Sequence, residues 1–264
     1  MEVPKSKRVI YERNPLIEVV CQLRFPPILR LSREEPFEFQ DEIRFDYPHF
    51  DTGNPQVPSE VANTLQRFNL PFPGDKSYAF HSEDRKWKIS LAKDFLALTS
   101  FEYQRYESFK NRLQKIIEVF ERIYKPSYYS RVGIRYKDLI RRSQLGLQDK
   151  DWSELIEKRI ASELHDNDFS QSIQAIFKNL LLETDYGRVN FHHGLVNAQD
   201  QNNQANSEIA YLLDADFFTE EKMENKDDAW KRIDQFNKSA GDLFRWSITD
   251  ILHNAMRPQP INRE

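Results

Sequence analysis

The sequence predicts an α+β fold: antiparallel sheet with long helices on one face, in two similar strand–strand–strand–helix halves. Three observations predict it. Short runs of alternating polarity, such as Trp87-Lys88-Ile89-Ser90-Leu91, lie between turn-forming residues and read as half-buried strands. Two long stretches, 106–124 and 227–256, place apolar residues three and four positions apart, the period of an amphipathic helix. Aromatic residues make up 13% of the chain, with 19 Phe and 11 Tyr. That supply suits wide apolar layers between a sheet and its helices.

In chain order, residues 1–13 read as a solvated leader. Residues 16–25 read as a strand with β-branched Ile17, Val19 and Val20, ended by Pro26-Pro27 because proline cannot donate to a sheet ladder. Residues 34–45 form a short helix, with Pro36 suited to its first turn. The Pro-, Asn- and Gly-containing run 46–75 is an irregular connection. A meander follows: strand 77–81, turn Ser82-Glu83-Asp84-Arg85, strand 87–91, turn Ala92-Lys93-Asp94, strand 95–100. The helix over 106–124 carries Phe109, Leu113, Ile116, Ile117, Phe120 and Ile123 on one face, and Lys125-Pro126 stops it.

Residues 129–139 make a further strand, and 141–170 a charged, partly helical connection. The pattern then returns: strand 173–182, turn, strand 188–196, a Gln- and Asn-rich loop over 197–206, and strand 208–217. The closing helix over 227–256 carries Trp230, Ile233, Phe236, Ala240, Leu243, Ile248 and Leu252. The domain reading is a leader at 1–13, an α+β half at 14–140, the connection at 141–170 and a second half at 171–264, joined in one unit.

Composition limits the function. The chain has 264 residues, 39% hydrophobic and 30% charged, enough for a packed core under a charged surface. A formal charge of −4 argues against broad nucleic-acid binding, which needs a basic footprint. With seven Gly there is no P-loop and no GxGxxG; nucleophile elbow and HExxH are also missing. The single cysteine, Cys21, sits in an apolar strand as a small buried hydrophobe, which rules out an internal disulfide and fits a reducing cytoplasm. Residues 1–8 are charged without an apolar core, so no signal peptide is expected, and no window nears the ~18–20 apolar residues of a membrane span.

Two groups of residues offer chemistry. Arg131, Arg135 and Lys137 share one face of strand 129–139, with Val132, Ile134 and Tyr136 on the other. Glu18, Gln22 and Arg24 form the polar side of the first strand and line a groove with the arginines. Such a basic row suits phosphate, nucleic acid or an acidic partner, or forms ion pairs with the chain's own acids. Asp214 and Asp216 share one side of strand 208–217, and paired carboxylates hold Mg²⁺ or act as acid and base. Of His192 and His193, which point to opposite faces, one could complete a metal-dependent site with them. The stripe of the last helix suits packing on its own sheet, or a homodimer contact.

The run Pro15-Leu16-Ile17-Glu18-Val19-Val20-Cys21-Gln22-Leu23-Arg24-Phe25-Pro26-Pro27-Ile28 resembles the N-terminal motif of a sporadically distributed prokaryotic family of uncharacterised proteins. Arg131-Val132-Gly133-Ile134-Arg135-Tyr136, Leu212-Leu213-Asp214-Ala215-Asp216, and Phe244, Ile248-Thr249-Asp250 and Met256-Arg257-Pro258 agree with it in order. Where that family usually has Asn after the Arg-Tyr pair, this chain has Lys137-Asp138. The resemblance carries no catalytic residues. Its patchy distribution implies genes traded among mobile elements, defence islands and toxin–antitoxin-like modules. The expectation is therefore a cytoplasmic, non-enzymatic binding protein without a cofactor, paired with a protein of its own operon. A nucleotide or small-anion sensor using Arg131 and Arg135, and a metal-dependent enzyme built on Asp214, Asp216 and His192, are the alternatives.

Overall fold

In the computed structural model, which describes residues 4–53, 76–200, 203–224 and 226–260, nine strands form one antiparallel sheet. The elements are β1 (Val9–Tyr11), β2 (Leu16–Arg24), α1 (Arg30–Arg33), α2 (Phe37–Ile43), β3 (His49–Gly53), β4 (Ser77–His81), β5 (Trp87–Ala92), β6 (Phe95–Ser100) and α3 (Tyr106–Tyr124). They continue with β7 (Arg131–Ile140), α4 (Arg142–Leu145), α5 (Trp152–Leu155), 3₁₀ turns at Ser162–His165 and Ser170–Ser172, β8 (Lys178–Thr184), β9 (Gly187–Asp200) and β10 (Asn203–Thr219). The chain closes with α6 (Lys226–Ser247), α7 (Asp250–Ala255) and β11 (Pro258–Pro260). The connection expected over 46–75 lies outside the described residues from position 54 on; before that, β3 takes part of it.

The sheet order is β3-β4-β5-β6-β2-β7-β10-β9-β8. Apart from the edge strand β3, three strands flank the β2–β7 pair on each side. On one side the meander β4-β5-β6 docks on β2 and is followed by α3; on the other, β8-β9-β10 docks on β7 and is followed by α6. Each unit thus owns a leading strand as well as three meander strands and a helix, and the two leading strands zip the units into one sheet.

Alternation sorts the side chains of each strand. Val19, Cys21 and Leu23 of β2, Val132, Ile134 and Tyr136 of β7, and Leu213, Ala215 and Phe217 of β10 are buried on one face. The helices pack there. Phe120 of α3 meets Phe25 at 4.8 Å, Phe236 of α6 meets Phe217 at 6.2 Å, Phe39 of α2 meets Phe80 at 5.7 Å, and Trp152 of α5 meets Tyr211 at 5.8 Å. The stripe of α6, Ala229, Ile233, Phe236, Ala240 and Leu243, is buried in this layer. Tyr106 Oη of α3 donates to Asp234 Oδ1 of α6 at 2.7 Å and clamps the two long helices together.

Several local expectations change. The leader holds β1, which pairs with β11 so that Val9 faces Pro260. The helix expected over 34–45 is two shorter ones, α1 starting earlier at Arg30 and α2 ending at Ile43. The strand expected from 173 begins at Lys178. The polar run over 197–206 is not all loop: β9 continues to Asp200 and β10 begins at Asn203, with irregular register between Asn203 and Ser207, because backbone pairing does not require apolar side chains. The last helix breaks after Ser247. Ile248 leaves the helix to bridge Ile156, and Thr249 caps α7, accepting from the Leu252 N–H at 3.4 Å and donating to the Glu154 carbonyl at 2.6 Å. Ile17, expected on the apolar side of β2, is 40% exposed, because the strand bulges between Leu16 and Glu18.

Candidate functional site

All the helix-to-sheet contacts above lie on one face. The other face of the central strands carries the polar rows: Glu18, Val20, Gln22 and Arg24 of β2, Arg131, Arg135 and Lys137 of β7, and Asp214, Asp216 and Phe218 of β10. Antiparallel register sets Glu18 across from Lys137 and Lys137 across from Asp214. It sets Arg24 across from Arg131, and Arg135 across from Asp216. On the next strand His192 lies across from Asp214 and Asn190 from Asp216. Directly opposed residues share a face, so the candidate residues from the sequence other than His193 are gathered on this surface.

The basic row and the acid pair turn out to be each other's partners. Arg135 grips Asp214 with two parallel hydrogen bonds, Nε to Oδ1 at 2.6 Å and Nη2 to Oδ2. Arg131 Nη2 donates to Asp216 Oδ2 at 2.7 Å, and its Nη1 donates to Gln22 Oε1 at 3.2 Å. The Asp214 side chain is only 6% exposed, whereas Arg135 is 42% exposed. A carboxylate this deep is costly to bury unless a cation stands beside it. The hydrogen bond to Asp214 in turn raises the Arg135 pKa.

This pairing weighs against the metal reading. Guanidinium groups occupy the lone pairs that a cation would need, and they bring positive charge into the same space. Among the described residues no group of three or more His, Cys, Asp or Glu side chains could hold a metal ion. His192 stands next to Asp214 on the sheet but completes no such group. His193, on the helix face, is buried; its Nδ1 lies 2.9 Å from the Tyr211 hydroxyl and its ring stacks 4.8 Å from Phe191. Burial, with Lys178 nearby, pushes its pKa down to about 4. Cys21 is fully buried, and burial raises its thiol pKa, so the thiol is an apolar core group.

Around the central pairs the surface mixes charge with aromatic area. The Phe218 ring is flanked by the Arg131 guanidinium at 4.7 Å and the Arg188 guanidinium at 5.2 Å, and Arg188 also pairs with Glu220. Arg24, Lys137 and Glu18 differ from the arginines beside them: among the described residues none has an ion-pair partner within 4.0 Å. Phe218 and Arg188 escaped the sequence reading. Phe218 follows Asp214 and Asp216 at the same two-residue spacing, a signal that was there to use.

No family model matches the chain, and no curated protein matches it. No helix among the described residues is long and apolar enough to cross a membrane.

Proposed function

We propose that the protein is a non-enzymatic binding module that docks a partner protein on the polar face of its sheet. The observation that carries this reading is the division of the surface charges into two classes. Arg131, Arg135, Asp214 and Asp216 neutralise one another and stiffen the middle of the face. Arg24, Lys137 and Glu18 project beside them without partners, with the Phe218 ring close by. A rigid, mostly neutralised centre with a few unsatisfied charges and an aromatic ring is the composition of a protein-recognition surface, where charge complementarity sets specificity. The partner surface that fits offers carboxylates to Arg24 and Lys137 and a cation to Glu18. The patchy family that the first strand resembles points to the product of an adjacent gene, in a cytoplasmic defence or toxin–antitoxin-like operon.

The small-anion reading of Arg131 and Arg135 is the weaker one, since an incoming phosphate would have to displace a carboxylate from each. Co-expression with the adjacent gene product, followed by size-exclusion chromatography, tests the proposal. Co-elution at defined stoichiometry is expected. Elution of both proteins as free species at micromolar concentration contradicts it.

A further inference from the structure

A second surface lies between α2 and α3, on the helix side of the molecule and away from the charged face. The cleft there has a volume of about 510 Å³, within the range of small-molecule sites. Its apolar walls are Ile43, Ile116 and Val119. The chain reaches it at Tyr47, just after α2, which Phe39 anchors in the core. Tyr47 is only 3% exposed, and its hydroxyl, with the Arg112 guanidinium beside its oxygen, is buried with no acceptor for its own proton. A buried hydroxyl without a partner is costly, and the great majority are satisfied by protein, water or ligand.

The neighbours of that hydroxyl are donors too. Arg112 and Lys115 line the cleft from α3, three residues apart and therefore on one side of the helix. The Arg112 guanidinium stacks 4.7 Å above the Trp87 ring, which fixes its plane. Neither Arg112 nor Lys115 has a carboxylate within 4.0 Å among the described residues, unlike Arg122 at the same cleft, which pairs with Glu42 at 2.9 Å. The remaining acids, Asp46 and Glu118, are exposed to solvent, where water screens them. Three donors of different shape thus line one cavity, none with a carboxylate acceptor among the described residues.

We propose that this cleft binds a phosphate-class oxyanion. The Arg112 fork holds two oxygens, Lys115 supplies a point charge, and the Tyr47 hydroxyl donates from the buried end. The site is independent of the partner-binding face, and it puts anion recognition where the donors are unpaired instead of at Arg131 and Arg135.

The test is a titration of the full chain with inorganic phosphate at constant ionic strength, read by thermal shift and by ³¹P line broadening. The wild-type protein shows saturable stabilisation that chloride does not give. Tyr47→Phe removes only a hydroxyl whose proton has no acceptor, so it folds, and it weakens phosphate binding by about tenfold, the effect of one lost hydrogen bond to a charged group. Lys137→Met, on the sheet face, binds phosphate like the wild type. The inference is overturned if the wild type shows no saturable effect, if Tyr47→Phe binds phosphate unchanged, or if Lys137→Met is the variant that loses it.

Discussion

At the scale of single residues, the pairing of Arg135 with Asp214 is the contact with the clearest energetic consequence. Arg135→Met leaves a carboxylate that is 6% exposed without its cation. Loss of one member of a buried pair costs about 3–5 kcal/mol; since Arg135 is itself partly exposed, about 2 kcal/mol is expected in urea unfolding. The double variant Arg135→Met/Asp214→Leu recovers most of that loss, because no charge is then stranded. A double variant as unstable as the single one would show that the pair is not what holds Asp214 in place.

Two buried titratable groups set opposite pH dependences. His193 has a folded pKa pushed down to about 4 by burial, below its unfolded value near 6.5. The folded state therefore binds fewer protons, and stability falls as pH drops through the interval from about 6.5 to about 4. In His193→Gln this slope flattens. Asp138, on the helix face of β7, has its pKa raised well above the ordinary value, first by burial and then by Asp214. Its folded state holds a proton that the unfolded state releases, so stability falls as pH rises above the unfolded pKa near 3.9. Asp138→Asn removes that cost and is more stable than the wild type at pH 7; equal or lower stability would contradict the assignment.

At the scale of elements, the sequence told much about type and less about ends. The strands β4, β5 and β6 and the helix α3 were legible because alternation and a 3.6-residue period extend over their whole length. The end of α6 was not. Its apolar stripe runs on through Ile248 and Leu252, so periodicity alone continues the helix, while the break depends on Thr249 reaching the Glu154 carbonyl, a contact 95 residues away in sequence. Thr249→Ala removes that bond and the α7 cap, and costs about 1 kcal/mol, measurable by thermal unfolding. Gly194 in β9 is a second hidden constraint. Its φ of 154° and the close passage of residue 176 leave no room for a side chain: a Cβ would lie 1.8 Å from the Ile176 carbonyl oxygen. Gly194→Ala must move segment 173–177 off β9, and a loss of more than about 2 kcal/mol is expected. A mild effect would mean that segment 173–177 is held less firmly than the structure implies.

At the scale of the whole molecule, the candidate residues were legible but their relation was not. Two-residue spacing correctly put Arg131, Arg135 and Lys137 on one side of β7, and Asp214 with Asp216 on one side of β10. Nothing local says that β7 and β10 are neighbours, since 62 residues separate Ile140 from Asn203, the end of one strand from the start of the other. Once they pair, a basic row and an acid pair that looked like two sites become one neutralised surface. The unpaired charges that matter are then the ones beside it. The strand order explains why the surface is broad: apart from the edge strand β3, two sets of four strands meet at one seam, β2 against β7, and α3 and α6 pack on the same side.

The most direct measurement is the affinity of the adjacent-gene partner, by isothermal titration calorimetry, for wild-type protein and for Arg24→Glu/Lys137→Glu. Both substitutions lie on the charged face and replace side chains that have no ion pair to lose, so the fold is kept. The account predicts that the double variant weakens binding by at least about a hundredfold, roughly the worth of two charge contacts, while Arg122→Glu on the helix side leaves it unchanged. Equal affinity for wild type and the double variant, or a loss confined to Arg122→Glu, would contradict the claim that the polar face of the sheet is the binding surface.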